Sequence, residues 1–380
     1  MSSSTLNHST DPGAGRPLVV DIHSHVYPQS YLSLLRDRTQ PPYIQSNRLI
    51  NRASASGAGG GKPLTPEFSS VASKLEFMDA HRIDVSILSL GNPWLDFCSP
   101  EDAGPAAAQV NDEFQELCSS TEGARRLFFF AVLPLSGGVD VVSAEVRRLT
   151  AGAHPHLRGV VMGSRGFGAG LDDLALTPVW EALAAATLPV FLHPNYGLPA
   201  EVWGPRADEY GQVLPVAMAF PLETTITLTR MVLGGVFQRV PNLKCIASHA
   251  GGALPFLAGR VEHAVNHDRV WASKAARGEM RQTVWQALRE NIFLDGILYH
   301  AAPLRMAAEV AGPERVLFGT DHPFFQPLAG DNTHVPSAWS NQRAAQEVWG
   351  KGNNSYDRVM GSNAVRLLDL GQTVGCQGCS

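Results

Sequence analysis

The stretch Val19-Val20-Asp21-Ile22-His23-Ser24-His25 sets a short β-branched run directly against two histidines spaced two apart. Successive side chains of an extended chain point to opposite faces, so both imidazoles project to one side and Ser24 to the other. That geometry suits two ligands of one metal ion. The same arrangement, an apolar run ending in a polar donor, recurs at Phe191-Leu192-His193-Pro194, at Ala247-Ser248-His249-Ala250-Gly251-Gly252 and at Phe318-Gly319-Thr320-Asp321-His322-Pro323. Each histidine alone reads as a hydrogen-bonded structural residue, but ligand types at four separate strand ends do not arise together by chance. Strand C-termini that converge in this way are the catalytic face of a parallel barrel.

The rest of the chain fits that architecture. Eight short apolar runs, at 18–21, 85–90, 127–135, 159–162, 189–193, 243–248, 291–295 and 315–320, alternate with amphipathic stretches. Stretches 68–81, 109–121, 139–149, 178–186, 254–267 and 303–310 carry apolar residues at three- and four-residue spacing, which predicts helices. Eight strands with crossover helices predict an α/β fold, a (β/α)8 TIM barrel in one domain over 17–370. Two loop insertions depart from the minimal unit. Residues 28–66 follow the first strand and include Ser-Gly-Ala-Gly-Gly-Gly-Lys at 56–62; residues 195–221 follow the fifth and are rich in Pro and Gly. Both lie on the active-site side and are candidate lids. Residues 1–16 are expected to be a disordered leader and 371–380 a flexible tail.

Composition narrows the function. With 44% hydrophobic and 17% charged residues among 380, the chain is that of a globular protein, without an unbroken apolar run near bilayer length. The N-terminus lacks the apolar core of a secretory signal, which points to the cytoplasm. A net charge of −5 with no basic block argues against nucleic acid as a partner. A small molecule is the expected partner, with no membrane. Five cysteines form no disulfide framework; Cys98, Cys118 and Cys245 read as reduced packing residues, and the Cys376/Cys379 pair as part of the tail.

Imidazoles with one carboxylate suit a borderline divalent ion, Zn2+ first, with Mn2+ or Co2+ accepted by the same donors. The fourth run ends Val161-Met162-Gly163-Ser164 and offers no lysine for a bridged two-metal site, so a single ion is expected.

These residues resemble the amidohydrolase superfamily, and within it the branch of non-oxidative decarboxylases typified by aminocarboxymuconate-semialdehyde decarboxylase. The resemblance rests on Val-Asp-Ile-His-Ser-His-Val-Tyr-Pro at 20–28, Asn-Pro-Trp at 92–94, Phe-Leu-His-Pro at 191–194, Tyr-Gly-Leu-Pro at 196–199, Leu-Pro-Phe-Leu-Ala-Gly-Arg at 254–260 and Phe-Gly-Thr-Asp-His-Pro-Phe-Phe at 318–325. It implies a carboxy-lyase acting on a planar cyclic acid, uracil-5-carboxylate foremost, with a salicylate-type acid or hydrolysis of a lactone or cyclic amide as alternatives. It implies His23, His25, His193 and Asp321 as ligands, with Asp321 and His249 catalytic and His249 beside the open coordination position. Arg260 falls where the branch places a carboxylate-binding arginine, sometimes supplied across a dimer interface, so a homodimer or higher homo-oligomer is expected. Lys62 stands where relatives tend to carry arginine; Asn92 and Phe324 are placed to meet a ring carbonyl and a ring face.

Overall fold

The computed structural model describes residues 16–51, 61–121, 123–166, 168–194, 198–279, 281–325 and 337–371. Its eight apolar runs are eight parallel strands: β1 Val20–Val26, β2 Val85–Leu90, β3 Leu127–Val132, β4 Leu157–Gly163, β5 Val190–His193, β6 Cys245–Ala247, β7 Ile292–Asp295 and β8 Val316–Leu317. They are hydrogen-bonded in chain order. The seam between β1 and the end of β8 is joined by Ile22 N to Phe318 O at 3.1 Å, Asp321 N to His23 O at 2.8 Å and His25 N to His322 O at 2.8 Å. The sheet therefore curls into a nearly closed barrel, the expected fold class. Gly319 makes this approach possible, since a Cβ there would stand 2.9 Å from the Cβ of His23.

Crossover helices wrap the strands: α1 Val71–His81, α2 Pro100–Ser119, α3 Gly138–Leu149, α4 Thr177–Ala185, α5 Phe220–Leu233, α6 Leu254–His267, α7 Ala301–Ala311 and, after β8, α8 Ser337–Trp349. Two further helices, Arg269–Ala276 and Val284–Glu290, lie between α6 and β7. With helices outside and packed side chains inside, strands are buried on both faces; β3, Leu-Phe-Phe-Phe-Ala-Val, is apolar throughout for that reason.

Of the boundaries that differ from the sequence reading, three have a clear physical reason. β1 does not stop at 21 but runs on to Val26, because pairing with β2 continues through His25 against Ser89 and Val26 against Leu90. The two histidines are thus inside the strand rather than beyond it. β3 ends at Val132, short of 135; Pro134 has no N–H for the ladder, and a 3-10 turn follows at Leu135–Gly137. α2 begins nine residues earlier than 109, at Pro100, where Ser99 caps it by accepting from Asp102 N at 3.2 Å. Pro105, the sixth residue of this helix, lies beyond the first turn and removes one intrahelical N–H from the ladder.

The helical segment Pro215–Leu233 is, at 19 residues and mean hydropathy 1.2, long and apolar enough by composition to cross a bilayer. Counting unbroken apolar residues misses it because Glu223 and Arg230 interrupt the run. Here it is a barrel helix, with Leu228, Met231 and Val232 in the common core.

After β1 the chain forms a helix, Gln29–Arg36, and a small antiparallel sheet of Tyr43–Gln45, Arg48–Ile50 and Lys62–Pro63. Residues 52–60, most of the glycine-rich stretch, lie outside the described residues, as do 1–15 of the expected leader and 372–380 of the tail with Cys376 and Cys379. After β5, 3-10 turns at Ala200–Trp203 and Ala207–Tyr210 precede α5. Cys98, Cys118 and Cys245 are free thiols, the last two buried.

Candidate metal centre

His23 and His25 from within β1, His193 from the end of β5 and Asp321 from the segment after β8 are all buried, and each offers a ligand atom within 4.8 Å of the others. What lies behind each ring fixes its tautomer. Asp295, the last residue of β7, takes the Nδ1–H of His23 at 2.7 Å. The carbonyl of Pro194 takes that of His193 at 3.0 Å. Ser89 Oγ donates to Ser24 O at 3.3 Å and has a lone pair left for the Nδ1–H of His25 at 3.1 Å. Carboxylates and carbonyls only accept, so each ring presents Nε2 to the centre. The Nε2 atoms of His23 and His25 stand 3.0 Å apart, and each is 3.3 Å from Asp321 Oδ1. Three lone pairs and a carboxylate facing one point repel one another unless a cation lies between them. The residues present therefore fit a divalent ion, oriented by outer partners as metal-binding histidines usually are.

Without the ion, a proton takes its place. Burial alone would lower His23, yet the Asp321 and Asp295 carboxylates push its ring up to about 10. Burial, with His23 and Lys62 and against Asp321, pushes His25 down to about 4, and burial with its three histidine neighbours holds His193 well below the usual histidine value. Burial opposes ionisation of Asp321, but His23 and the other histidines keep its carboxyl well below the ordinary carboxylate range. A metal needs the His23 lone pair, so it must displace one proton, and only that one. Binding of Zn2+ or Mn2+ at about pH 8 is expected to release about one proton per ion, with affinity rising about tenfold per pH unit up to the His23 value. Calorimetry in two buffers of different ionisation heat reads the number directly. Zero release would mean that His23 is already neutral.

Around the centre, His249 follows β6. Its Nε2 is 3.9 Å from Asp321 Oδ2, and its buried Nδ1 has no protein partner among the described residues. Its backbone at φ +52° and that of Asp321 at +60° are both left-handed, strain held in place by surrounding bonds. Asp295 supplies one of these: its Oδ1 accepts from Ala250 N at 2.9 Å, so one carboxylate holds both the His23 tautomer and the turn carrying His249. Burial works against Asp295, but its bond from His23 keeps it ionised below the usual carboxylate value.

Lys62 enters from the small sheet. Its ammonium lies 3.9 Å from the ring centre of Phe324, 4.4 Å from Phe68 and 4.8 Å from Tyr27, and donates to Tyr27 Oη at 2.8 Å. Burial draws its pKa well below the usual lysine value, opposed by the pull of Asp321. Phe324 packs on His25 at 5.3 Å between ring centres. Asn92 is half-buried at the end of β2 and joins this wall through its carbonyl, which accepts from Tyr27 Oη at 3.1 Å. Arg260 is not brought to the cluster: it is exposed on α6 and, among the described residues, forms no ion pair. His322, adjacent to Asp321, stacks its ring on Phe77 at 3.7 Å and faces Lys74 rather than orienting Asp321. Asp295 went unselected in the sequence although it ends the seventh run, the very position that singled out the others.

A parallel barrel with three imidazoles and a carboxylate at its strand C-termini defines a class of metal-centred (β/α)8 proteins. Residues 20–370 match the amidohydrolase family, and the chain belongs to it. It is 44% identical to IDCase, isoorotate decarboxylase, of Metarhizium anisopliae, whose crystal structure it matches with a TM-score of 0.88 over 94% of this chain and 98% of that one. It is 28% identical to gamma-resorcylate decarboxylase of Rhizobium sp. over 78% of this chain and 86% of that protein. It is also 26% identical to 2-amino-3-carboxymuconate-6-semialdehyde decarboxylase of Dictyostelium discoideum, over 93% and 92% respectively.

Proposed function

We propose that this chain is a metal-dependent non-oxidative decarboxylase that converts uracil-5-carboxylate to uracil and carbon dioxide. The observation that carries the reading is Lys62, a half-buried amine held in an aromatic wall beside the metal centre, whose ammonium form desolvation disfavours and an incoming carboxylate would restore. A site for neutral lactones or amides has no use for such a charge, whereas a planar carboxylate needs both the cation and the ring face. The 44% identity to IDCase supports the choice of acid.

His23, His25, His193 and Asp321 hold the ion in this reading; Zn2+ is preferred, and Mn2+ or Co2+ suit the same donors. When bound, it supplies Lewis acidity and an anchor for the carboxylate and its neighbouring ring oxygen. Phe324 packs on the ring, Lys62 faces the anionic edge and Asn92 meets a ring carbonyl. Asp321 delivers a proton to the carbon bearing the carboxylate, the carbon–carbon bond then breaks, its electron pair returns to the ring and carbon dioxide leaves. Because Asp321 rests ionised, it must first be loaded, and His249, 3.9 Å away, is the neighbour placed to do so. The exposed setting of Arg260 fits action across an interface, so a cytoplasmic homodimer or higher oligomer belongs to the same reading.

The test offers the metal-loaded protein uracil-5-carboxylate and 6-methylsalicylate side by side. Carbon dioxide and uracil are expected from the first. The likeness to gamma-resorcylate decarboxylase favours a salicylate-type acid as second reading. Release from the salicylate alone would transfer the assignment to it, and a ring-opened product would make the protein a hydrolase.

A further inference from the structure

Lys74 is, among the described residues, the one lysine whose side chain lies among the largest fully buried groups of the barrel. It reaches from α1 to the seam between β1 and β8, behind the metal centre. Its ammonium donates to Ser24 Oγ at 2.5 Å, to His322 Nδ1 at 2.6 Å and to His322 O at 3.5 Å. Burial draws its pKa down to about 7, against the pull of the Asp21 and Asp321 carboxylates, neither of which is in ion-pair contact with it. A methionine would fill the same space with no charge to desolvate, and a buried ammonium on neutral acceptors is a poor device for stability alone. A cation behind a dication site is also electrostatically unfavourable to the metal.

Its contacts suggest what it does instead. Ser24 separates the two histidines of β1, and His322 follows Asp321. The His322 carbonyl that Lys74 touches also accepts from His25 N at 2.8 Å, and Ser24 pairs with His322 as the parallel bridge across the seam. On the far side of this knot, Thr320 Oγ1 accepts from His322 N at 3.1 Å and donates to Asp21 Oδ2 at 2.7 Å. Phe77, one turn along α1, stacks on the His322 ring and holds it toward the lysine. One ammonium therefore ties together the two backbone segments that carry three of the four ligands, one of them, Asp321, in a left-handed conformation that needs outside support.

We infer that Lys74 is a positioning residue that locks the β1–β8 seam and so presets the His23, His25 and Asp321 geometry for the ion. The inference rests on the reading of the cluster as a metal centre. Its sign separates it from electrostatics: any positive charge the lysine carries would oppose a dication, so its removal should leave metal binding unchanged or tighter, whereas loss of the lock should weaken it.

The experiment titrates metal-free wild type and Lys74→Met with Zn2+ by calorimetry and with Co2+ by visible absorption, alongside thermal unfolding of both metal-free proteins. Weakening of about 10–100-fold, the usual effect of losing an outer partner of a metal site, is expected, together with altered Co2+ bands and little change in unfolding temperature. A folded Lys74→Met protein with unchanged or tighter binding and an unchanged Co2+ spectrum overturns the inference. So does a lowered unfolding temperature at unchanged affinity, which marks a purely structural lysine. If Lys74→Met does not fold, Ser24→Ala decides in its place, with weaker binding in support and wild-type binding against. Wild-type protein that binds neither ion would instead refute the metal-centre reading itself.

Discussion

Asp321→Asn is expected to leave the barrel folded and to lower turnover by roughly 10²–10⁴, the range that a positioned proton donor contributes. The carboxylate is asked to do two things at once. Oδ1 faces His23 and His25 at 3.3 Å each, the position of a ligand, while Oδ2 faces His249 and the open side of the cluster. Asparagine retains one oxygen for the ion but has no carboxyl to carry a proton. Three histidines remain to hold metal, so the variant should still take it up, more weakly. Metal content and carbon dioxide release measured on the same sample separate the two effects. Metal-loaded Asp321→Asn protein that turns over at the wild-type rate would remove Asp321 from the proton transfer and leave it as a ligand only.

The parts of this site that could be read from the sequence are those that follow from local periodicity. Two histidines spaced two apart must share a face of a strand, and a polar residue at the end of an apolar run must sit at a barrel mouth, so all four ligand candidates and His249 were legible. The alternation of strands and helices likewise yielded eight strands in the right order. Other features depend on contacts between distant segments. Lys62 was visible only as a charge after a glycine run; that it lies in a cage of Tyr27, Phe68 and Phe324 depends on how the small sheet folds back over the barrel mouth. Lys74 sits in a helix whose sequence, Val-Ala-Ser-Lys-Leu-Glu-Phe, gives no sign that this lysine faces inward. Helical spacing identifies an apolar face, and a charged residue on it looks like an ordinary solvated one. Arg260 shows the opposite limit: its motif was clear, but a motif on an exposed helix face says nothing about which site it serves.

Asp295→Asn is expected to weaken metal binding by at least about 10–100-fold while changing the volume of the side chain hardly at all. The carboxylate can only accept, and it therefore forces the proton of His23 onto Nδ1 and the lone pair onto Nε2, toward the ion. An asparagine in the same place can turn its amide and donate to Nδ1. The ring would then carry its proton on Nε2, pointing into the cluster where a ligand lone pair is required. Loss of the negative charge acts in the same direction, since Asp295 is one of the two carboxylates that make His23 basic and hence a strong donor. The same substitution acts on the turn after β6 and on the start of the loop after β7, because Asp295 Oδ1 holds Ala250 N at 2.9 Å and Ile297 N at 3.2 Å. The substituted amide would keep these acceptor contacts only if its carbonyl stayed toward the turn, which is the orientation that aims its NH2 group at His23. The backbone turn and the correct tautomer thus compete for one side chain, and the asparagine cannot serve both. Asp295→Glu keeps the acceptor but moves it by a methylene, so it should retain the tautomer and lose geometry, binding metal better than Asp295→Asn. Zn2+ titration of both variants, with the proton count at about pH 8, tests the order. If Asp295→Asn bound as tightly as wild type and released the same proton, the His23 tautomer would be set by the ion alone and the seventh strand would have no part in preparing the site.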